Sequence, residues 1–209
     1  MNDVVRTLEE YESDADAYVQ KYRSESVAAE YGGPFFDALA GDGNRLLDIG
    51  CGPGSDISAF ESAGYNAIGL DLTPAFLRAA RDREPTASFV WGDMRRLPFT
   101  DASFDGVWSS ASFLHIPRSD AAATLQEFHR VLRPGGVVFC AVKRAPTMPG
   151  EGDERHFEYY RSGEIRSLVH DAGFKPLTVE TEANWVWVVA TIEADGRESE
   201  DSPGGSLRA

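Results

Sequence analysis

Lysine is nearly absent. Lys21, Lys143 and Lys175 stand against seventeen arginines in 209 residues. The 20 basic residues face 34 acidic ones, for a formal net charge of −14. Binding to nucleic acid or to anionic lipid needs clustered Lys and Arg, so the balance argues against both. The acidic residues are spread over the whole chain, so an acidic tail is only part of the cause. Such a charge repels itself unless salt screens it. Adaptation to high salt and the ordinary acidity of a protein from a GC-rich source both account for it.

Cysteine is also scarce. Cys51 lies in a turn and Cys140 inside a strand-like run, which is no disulfide framework. No His/Cys spacing resembles a metal site, so no metal is expected. Long apolar runs are missing too. Val137 to Val142 and Trp185 to Ala190 fall far short of the roughly 20 residues a membrane helix needs. The first residues include Asp3, Glu9, Glu10 and Glu12, without the basic-then-apolar pattern of a secretion signal, which makes the cytoplasm the default location. No repeat is visible. What the chain does have is 42% hydrophobic residues, enough for one domain with a full core.

The organising stretch is Leu46-Leu47-Asp48-Ile49-Gly50-Cys51-Gly52-Pro53-Gly54. It reads as a strand buried on both faces running into a glycine-rich turn. The glycines permit positive φ and close approach of the backbone to a ligand. Helical spacing from Ser55 to Ala63 would aim free amides and a positive dipole end at the turn. That is a nucleotide-like cofactor site at the end of a first strand.

Residues 4 to 23 have helical tendency, with Leu8, Tyr11, Ala15, Tyr18 and Tyr22 roughly on one face, and Glu30 to Ala40 reads as a second helix. Strands are expected at Arg45 to Ile49, Asn66 to Asp71, Ala87 to Trp91, Phe104 to Ser109 and Val137 to Val142. Between them Thr73 and Pro74 start a helix to about Arg83, and Asp120 to Leu132 is another. Residues 144 to 160 read as a lid loop. A helix at Ser162 to Ala172, stopped by Gly173, precedes two last strands, Lys175 to Glu180 and Trp185 to Ile192. About four residues separate these strands, too few for a crossover, so they form an antiparallel hairpin. The expectation is an α/β, doubly wound, Rossmann-like sheet in a single domain over 1–192. Residues 1–43 would form a helical cap and 193–209 a disordered acidic tail.

Ligands of open α/β sheets bind at the carboxyl ends of the strands. Asp71 closes the second strand, 19 residues beyond Gly52, where a carboxylate can accept both hydroxyl protons of a ribose. Asp93 closes the third, where it could accept from an adenine amino group. Turn or N-cap duty is the alternative for each.

With these stretches in hand, the chain resembles the class I S-adenosylmethionine-dependent methyltransferases. It is most similar to the small single-domain group that includes the ubiquinone/menaquinone C-methyltransferases. Five stretches carry the resemblance, in order: residues 46–54; Gly69-Leu70-Asp71-Leu72-Thr73-Pro74; Gly92-Asp93-Met94 through Leu97-Pro98-Phe99; Phe104-Asp105-Gly106-Val107-Trp108-Ser109-Ser110; and Leu132-Arg133-Pro134-Gly135-Gly136. The family's seven-stranded sheet with an antiparallel last strand agrees with the hairpin.

The resemblance implies that Asp48 and the backbone of Gly50, Cys51 and Gly52 hold the methionine part of S-adenosylmethionine. Asp71 would bind the ribose, Leu72 would pack on the adenine, and Asp93 with the Met94 amide would read its edge. Ser109 and Ser110 would line the cofactor near the sulfonium, and Tyr11 and Tyr18 would close over it. His115 sits where related sequences often carry a histidine facing the methyl group, as base or substrate contact; a helix-start or core histidine is the alternative. In the lid, His156, Tyr159 and Tyr160 are candidate substrate contacts, with packing of the surface loop as the alternative, whereas His129 and His170 read as structural. The Asn/Asp-Pro-Pro-Tyr signature of nucleobase and glutamine methyltransferases is replaced by Ser109-Ser110-Ala111-Ser112. A small-molecule acceptor, no nucleic acid, no membrane span, and a monomer or homodimer are therefore expected. A cofactor-binding protein without transfer activity is the alternative. An NAD-dependent oxidoreductase is disfavoured because position 55, the place of the dinucleotide fingerprint's third glycine, is Ser55.

Overall fold

A computed structural model describes residues 3–22, 25–39, 43–146 and 154–194. Residues 195–209 of the expected tail and 147–153 of the expected lid lie outside them.

The first strand, β1 (Arg45–Ile49), shows why the sheet is covered on both sides. Side chains alternate along a strand. Leu46 joins Phe35, Phe60 and Trp108 on one face, and Leu47 joins Val107 and Phe128 on the other. Strands β2 (Asn66–Asp71) and β4 (Phe104–Ser110) flank β1, both parallel to it. β3 (Ser88–Trp91) pairs parallel with β2, and β5 (Leu132–Arg144) parallel with β4. The hairpin is present: β8 (Trp185–Thr191) runs antiparallel between β5 and β7 (Lys175–Glu182). The order is β3-β2-β1-β4-β5-β8-β7. Chain direction across the sheet switches between β1 and β4, which is where such folds open a crevice.

The sheet has an eighth strand where a loop was expected. Pairing of β4 with β5 stops at Ser110 opposite Ala141. The two-residue strand β6 (Tyr159–Tyr160) pairs with Lys143 and Arg144 beyond that point.

Eight α-helices and one 3-10 turn, Phe113–His115, occur among the described residues. The α-helices, in chain order, are α1 (Asp3–Ser13), α2 (Ala15–Lys21), α3 (Val27–Tyr31), α4 (Gly33–Ala38), α5 (Ile57–Ser62), α6 (Pro74–Arg83), α7 (Arg118–Val131) and α8 (Ser162–Asp171). The continuous first helix expected from the aromatic face is broken at Asp14. The single helix expected over Glu30 to Ala40 is two, because Pro34 is tolerated only in a first turn and so begins α4. Helix α5 starts two residues later than expected and has six residues, since the chain is still turning through Asp56.

Candidate functional site

All three glycines of the turn after β1 have positive φ: 73° at Gly50, 53° at Gly52 and 75° at Gly54. At Gly50 a side chain would also collide with Ser112, whose Cβ is 2.2 Å from where a new Cβ would stand. Above Gly52 such an atom meets nothing within 4 Å, so that backbone borders open space. The turn's amides are directed into the protein. Gly50 and Cys51 donate to the Leu70 carbonyl at 2.7 and 3.1 Å, and Gly52 donates to Asp71 Oδ2 at 2.8 Å. The expectation that the free amides at the start of the next helix face the turn is also corrected. α5 is too short and begins too late, and what the turn offers is carbonyls and room.

Two adjoining cavities meet over this turn. The smaller, of about 110 Å³, lies among Leu70, Asp71, Leu72, Phe76, Gly92, Asp93 and Met94 under α1. The larger, of about 910 Å³, is bordered by Asp48, Cys51, Phe139, Arg155, Phe157, Tyr159, Trp185 and Trp187. Tyr11, Tyr18, Gly50, Gly52, Ser110, Ala111 and His115 line both and form the neck between them. Most of the residues singled out from sequence thus come together.

The acids at the strand ends are not equivalent. Asp48 is 3% exposed and has no hydrogen-bond partner among the described residues. Burial, and then the negative charges of Asp56 and Asp71, push its carboxyl well above the usual range. Asp71 is also raised by burial, an effect opposed by the amides of Thr73 and Gly52. Its Oδ1 accepts from Thr73 N at 2.8 Å, so the same carboxylate ties down the turn and the start of α6. Asp93 is engaged by Arg95, which donates from Nε and Nη2 at 3.1 and 2.7 Å and reaches on to Asp120 at 3.2 Å. Partial burial would raise Asp93, but the hydrogen bonds from Arg95 outweigh it and hold the carboxyl below its ordinary range.

Three residues depart from expectation. Ser109 is fully buried and lines neither cavity; its hydroxyl pairs with Ser112 Oγ at 2.8 Å, and Ser112 donates to the Ile49 carbonyl at 2.6 Å. Strand alternation turns Ser110 to the neck instead. Tyr160 is 1% exposed and packs in the core beside Phe113, because β6 directs it inward. The His156 imidazole lies near Asp3 and Glu158, away from both cavities. Its main chain is what matters: the amide donates to Thr7 Oγ1 at 2.9 Å, and the carbonyl lies 2.7 Å from His115 Nδ1. Cys51 is buried, with its thiol pushed well up by desolvation. His129 packs on Phe174, as suits a structural histidine.

Sequence reading missed Arg155, Phe157 and Ser112. Arg155 donates from Nη1 to Tyr11 Oη at 3.0 Å, and Tyr11 Oη lies 2.9 Å from His115 Nε2. Nothing in the local pattern around Arg155 marks it, since its partner is 144 positions away. Ser112 was visible only as one of several serines after β4.

A family described as "Methyltransferase domain" matches residues 47–140. Malonyl-[acyl-carrier protein] O-methyltransferase of Pseudescherichia vulneris is 36% identical over 50% of this chain and 41% of that protein. Demethylmenaquinone methyltransferase of Beutenbergia cavernae is 37% identical over 53% of this chain and 45% of its own length. Over residues 47–140 the chain is thus similar to methyltransferases. The matched stretch is less than half the length of either relative. Among solved structures, a putative methyltransferase in complex with the Haloferax volcanii Trm112 methyltransferase activator superposes with a TM-score of 0.73 at 23% identity, covering 89% of this chain and 97% of that one. The 1,6-didemethyltoxoflavin-N1-methyltransferase of Burkholderia thailandensis, solved with its namesake compound and S-adenosylhomocysteine, gives 0.71 at 21% identity over 92% and 88% of the two chains. At these identities the superpositions speak to the fold. On the chain's own geometry, the buried Asp48 without a hydrogen-bond partner among the described residues and the open backbone at Gly52 suit a cationic adenosyl cofactor.

Proposed function

We propose that this chain passes the methyl group of S-adenosylmethionine to a small-molecule acceptor by in-line displacement across the neck. The observation that carries the reading is Asp48. A carboxyl this buried, bordering the larger cavity and without a hydrogen-bond partner among the described residues, is costly to ionise unless a cation reaches it, and the amino acid ammonium of the cofactor supplies one. Asp71 takes the ribose hydroxyls, Leu72 packs on the adenine, and the Met94 amide reads its edge. Asp93 retains acceptor capacity beyond Arg95 for the adenine amino group. Ser110, rather than Ser109, stands near the sulfonium, and Tyr11 and Tyr18 close the neck.

When bound, the cofactor supplies a methyl group on a sulfonium, whose positive charge disperses as transfer proceeds. The protein's share is then mainly positioning, and holding both reactants can supply roughly 7 to 11 kcal/mol of the barrier. The aromatic walls of the larger cavity, Phe139, Phe157, Trp185 and Trp187, favour a planar acceptor. Names of relatives do not choose it, since they range from malonyl-acyl carrier protein to demethylmenaquinone.

The test is a thermal-shift titration of the purified chain with S-adenosylhomocysteine, S-adenosylmethionine and NAD. A ligand at about 100 times its Kd adds roughly 2.7 kcal/mol to the native state, a readily measured rise in Tm. The expected result is a rise with both adenosyl compounds that disappears in Asp71→Ala. A rise with NAD alone would return the oxidoreductase reading. Binding without transfer to any acceptor would favour the protein that holds the cofactor and does no chemistry.

A further inference from the structure

Four groups form one hydrogen-bonded line across the neck: Arg155, Tyr11, His115 and the carbonyl of His156. Their directions follow from which atoms must donate. A carbonyl only accepts, so His115 Nδ1, 2.7 Å from His156 O, carries its proton toward it. In the neutral imidazole Nε2 is then the acceptor, and Tyr11 Oη, at 2.9 Å, donates to it. Arg155 has no acceptor atom, so Nη1 donates to Tyr11 Oη at 3.0 Å, with the guanidinium 5.0 Å above the Tyr11 ring. Every donor points the same way, from the guanidinium to the carbonyl. Other elements hold the members in register: His156 N is bonded to Thr7 of α1, and Glu158 N donates to the Leu114 carbonyl at 2.7 Å.

We infer that Tyr11 and His115 are a proton relay for the methyl acceptor, with Arg155 as the positioning residue. The acceptor is accordingly a weakly acidic hydroxyl on a planar ring, a phenol or enol, rather than an amine. The inference rests on the methyl-transfer reading above. A site for an already nucleophilic acceptor has no use for a base, whereas a phenol must lose a proton as it attacks. Tyr11 faces both cavities, and its oxygen accepts as well as donates. The acceptor oxygen bonds to the methyl carbon as the carbon–sulfur bond breaks, with the electron pair of that bond returning to sulfur. The acceptor's proton moves to Tyr11 Oη, and Tyr11's own proton moves to His115 Nε2. The resulting imidazolium keeps both N–H groups hydrogen-bonded, to Tyr11 and to the His156 carbonyl. The charge on Arg155 steadies the negative charge that builds on Tyr11 during the exchange.

Three readouts on the full chain test this. Nitrogen-15 NMR of the histidines with S-adenosylhomocysteine bound should show His115 as the neutral tautomer protonated at Nδ1, with its Nε2 signal displaced in Tyr11→Phe. Calorimetry should give the same S-adenosylhomocysteine Kd for wild type, Tyr11→Phe and His115→Gln within about twofold. Single-turnover transfer to 4-nitrophenol, 4-cyanophenol and 4-methylphenol, with the matching anilines, should favour the phenols. Tyr11→Phe should cost about 10²-fold or more, most for 4-methylphenol, the least acidic of the three. An Nε2-protonated tautomer overturns the relay, as does a rise in Kd that parallels the activity loss, since Tyr11 is then only a cover. Transfer to anilines alone, or to no phenol while S-adenosylhomocysteine binds, overturns the acceptor class. Failure of S-adenosylhomocysteine to bind wild type refutes the methyl-transfer reading itself.

Discussion

Asp48 sits at a conflict between stability and binding. The unfolded chain ionises it freely near pH 4, while the folded protein resists ionising it, because of burial first and then the charges of Asp56 and Asp71. A raised native pKa means that the folded state holds the proton longer than the unfolded one, so this residue's contribution to stability declines as pH rises through that interval. Asp48→Asn removes the decline. The variant should match wild type in urea midpoint near pH 4 and exceed it by a margin that widens toward pH 8, without ligand. Its affinity for S-adenosylhomocysteine should fall by about tenfold or more, as losing a hydrogen bond to a charged group costs about 1.5–3 kcal/mol. A destabilised variant with unchanged affinity would make Asp48 a structural acid.

At the level of elements, Asp56 joins the cap to the sheet. Its Oδ2 accepts from Trp108 Nε1 at 2.9 Å, and its Oδ1 from Ser26 Oγ at 2.8 Å and Ala28 N at 3.0 Å, so one carboxylate fixes the start of α3 against β4. Asp56→Ala leaves the Trp108 and Ala28 donors buried without it, and should cost about 3 kcal/mol or more in a urea titration. Asp56→Asn, which keeps two acceptor pairs on one atom, should cost less. Sequence showed none of this, since Asp56 reads as part of the helix expected from Ser55 to Ala63. The seven main strands were legible because apolar runs and turn residues bound them locally. So was the hairpin, from the short gap before Trp185. The breaks in the N-terminal helices, and β6, depend on what the sheet leaves open: β6 exists because β5 extends past Ser110. The site divides the same way. Strand-end residues such as Asp48, Asp71 and Asp93 are placed by local pattern, whereas Arg155 reaches Tyr11 only through the fold. Ser109 and Ser110 differ by one position in a strand, and that decides which of them faces the neck.

Across the whole molecule, the charge of −14 sets two effects against each other as salt is added. Screening weakens the arginine–carboxylate pairs, such as Arg130 with Glu127 at 2.7 Å and Arg133 with Asp105 at 2.8 Å. Such partly exposed pairs are worth about 0–1 kcal/mol each, and close contacts lose least to screening because they lie inside the roughly 3 Å Debye length of 1 M salt. Repulsion among the surplus carboxylates acts over longer distances and is largely removed once that length shrinks from about 30 Å at 0.01 M. The long-range term should win. The urea midpoint should therefore rise between 10 mM and 1 M KCl at pH 7.5, with an unchanged m-value, by an amount corresponding to about 1–3 kcal/mol. At pH 4, where many surface carboxylates approach neutrality, the same step should have a much smaller effect. This comparison separates screening of acidic repulsion from a general stabilisation by salt, which would act equally at both pH values. A midpoint indifferent to KCl at pH 7.5 would mean that the ion pairs and the repulsion cancel, and would remove the case for adaptation to high salt.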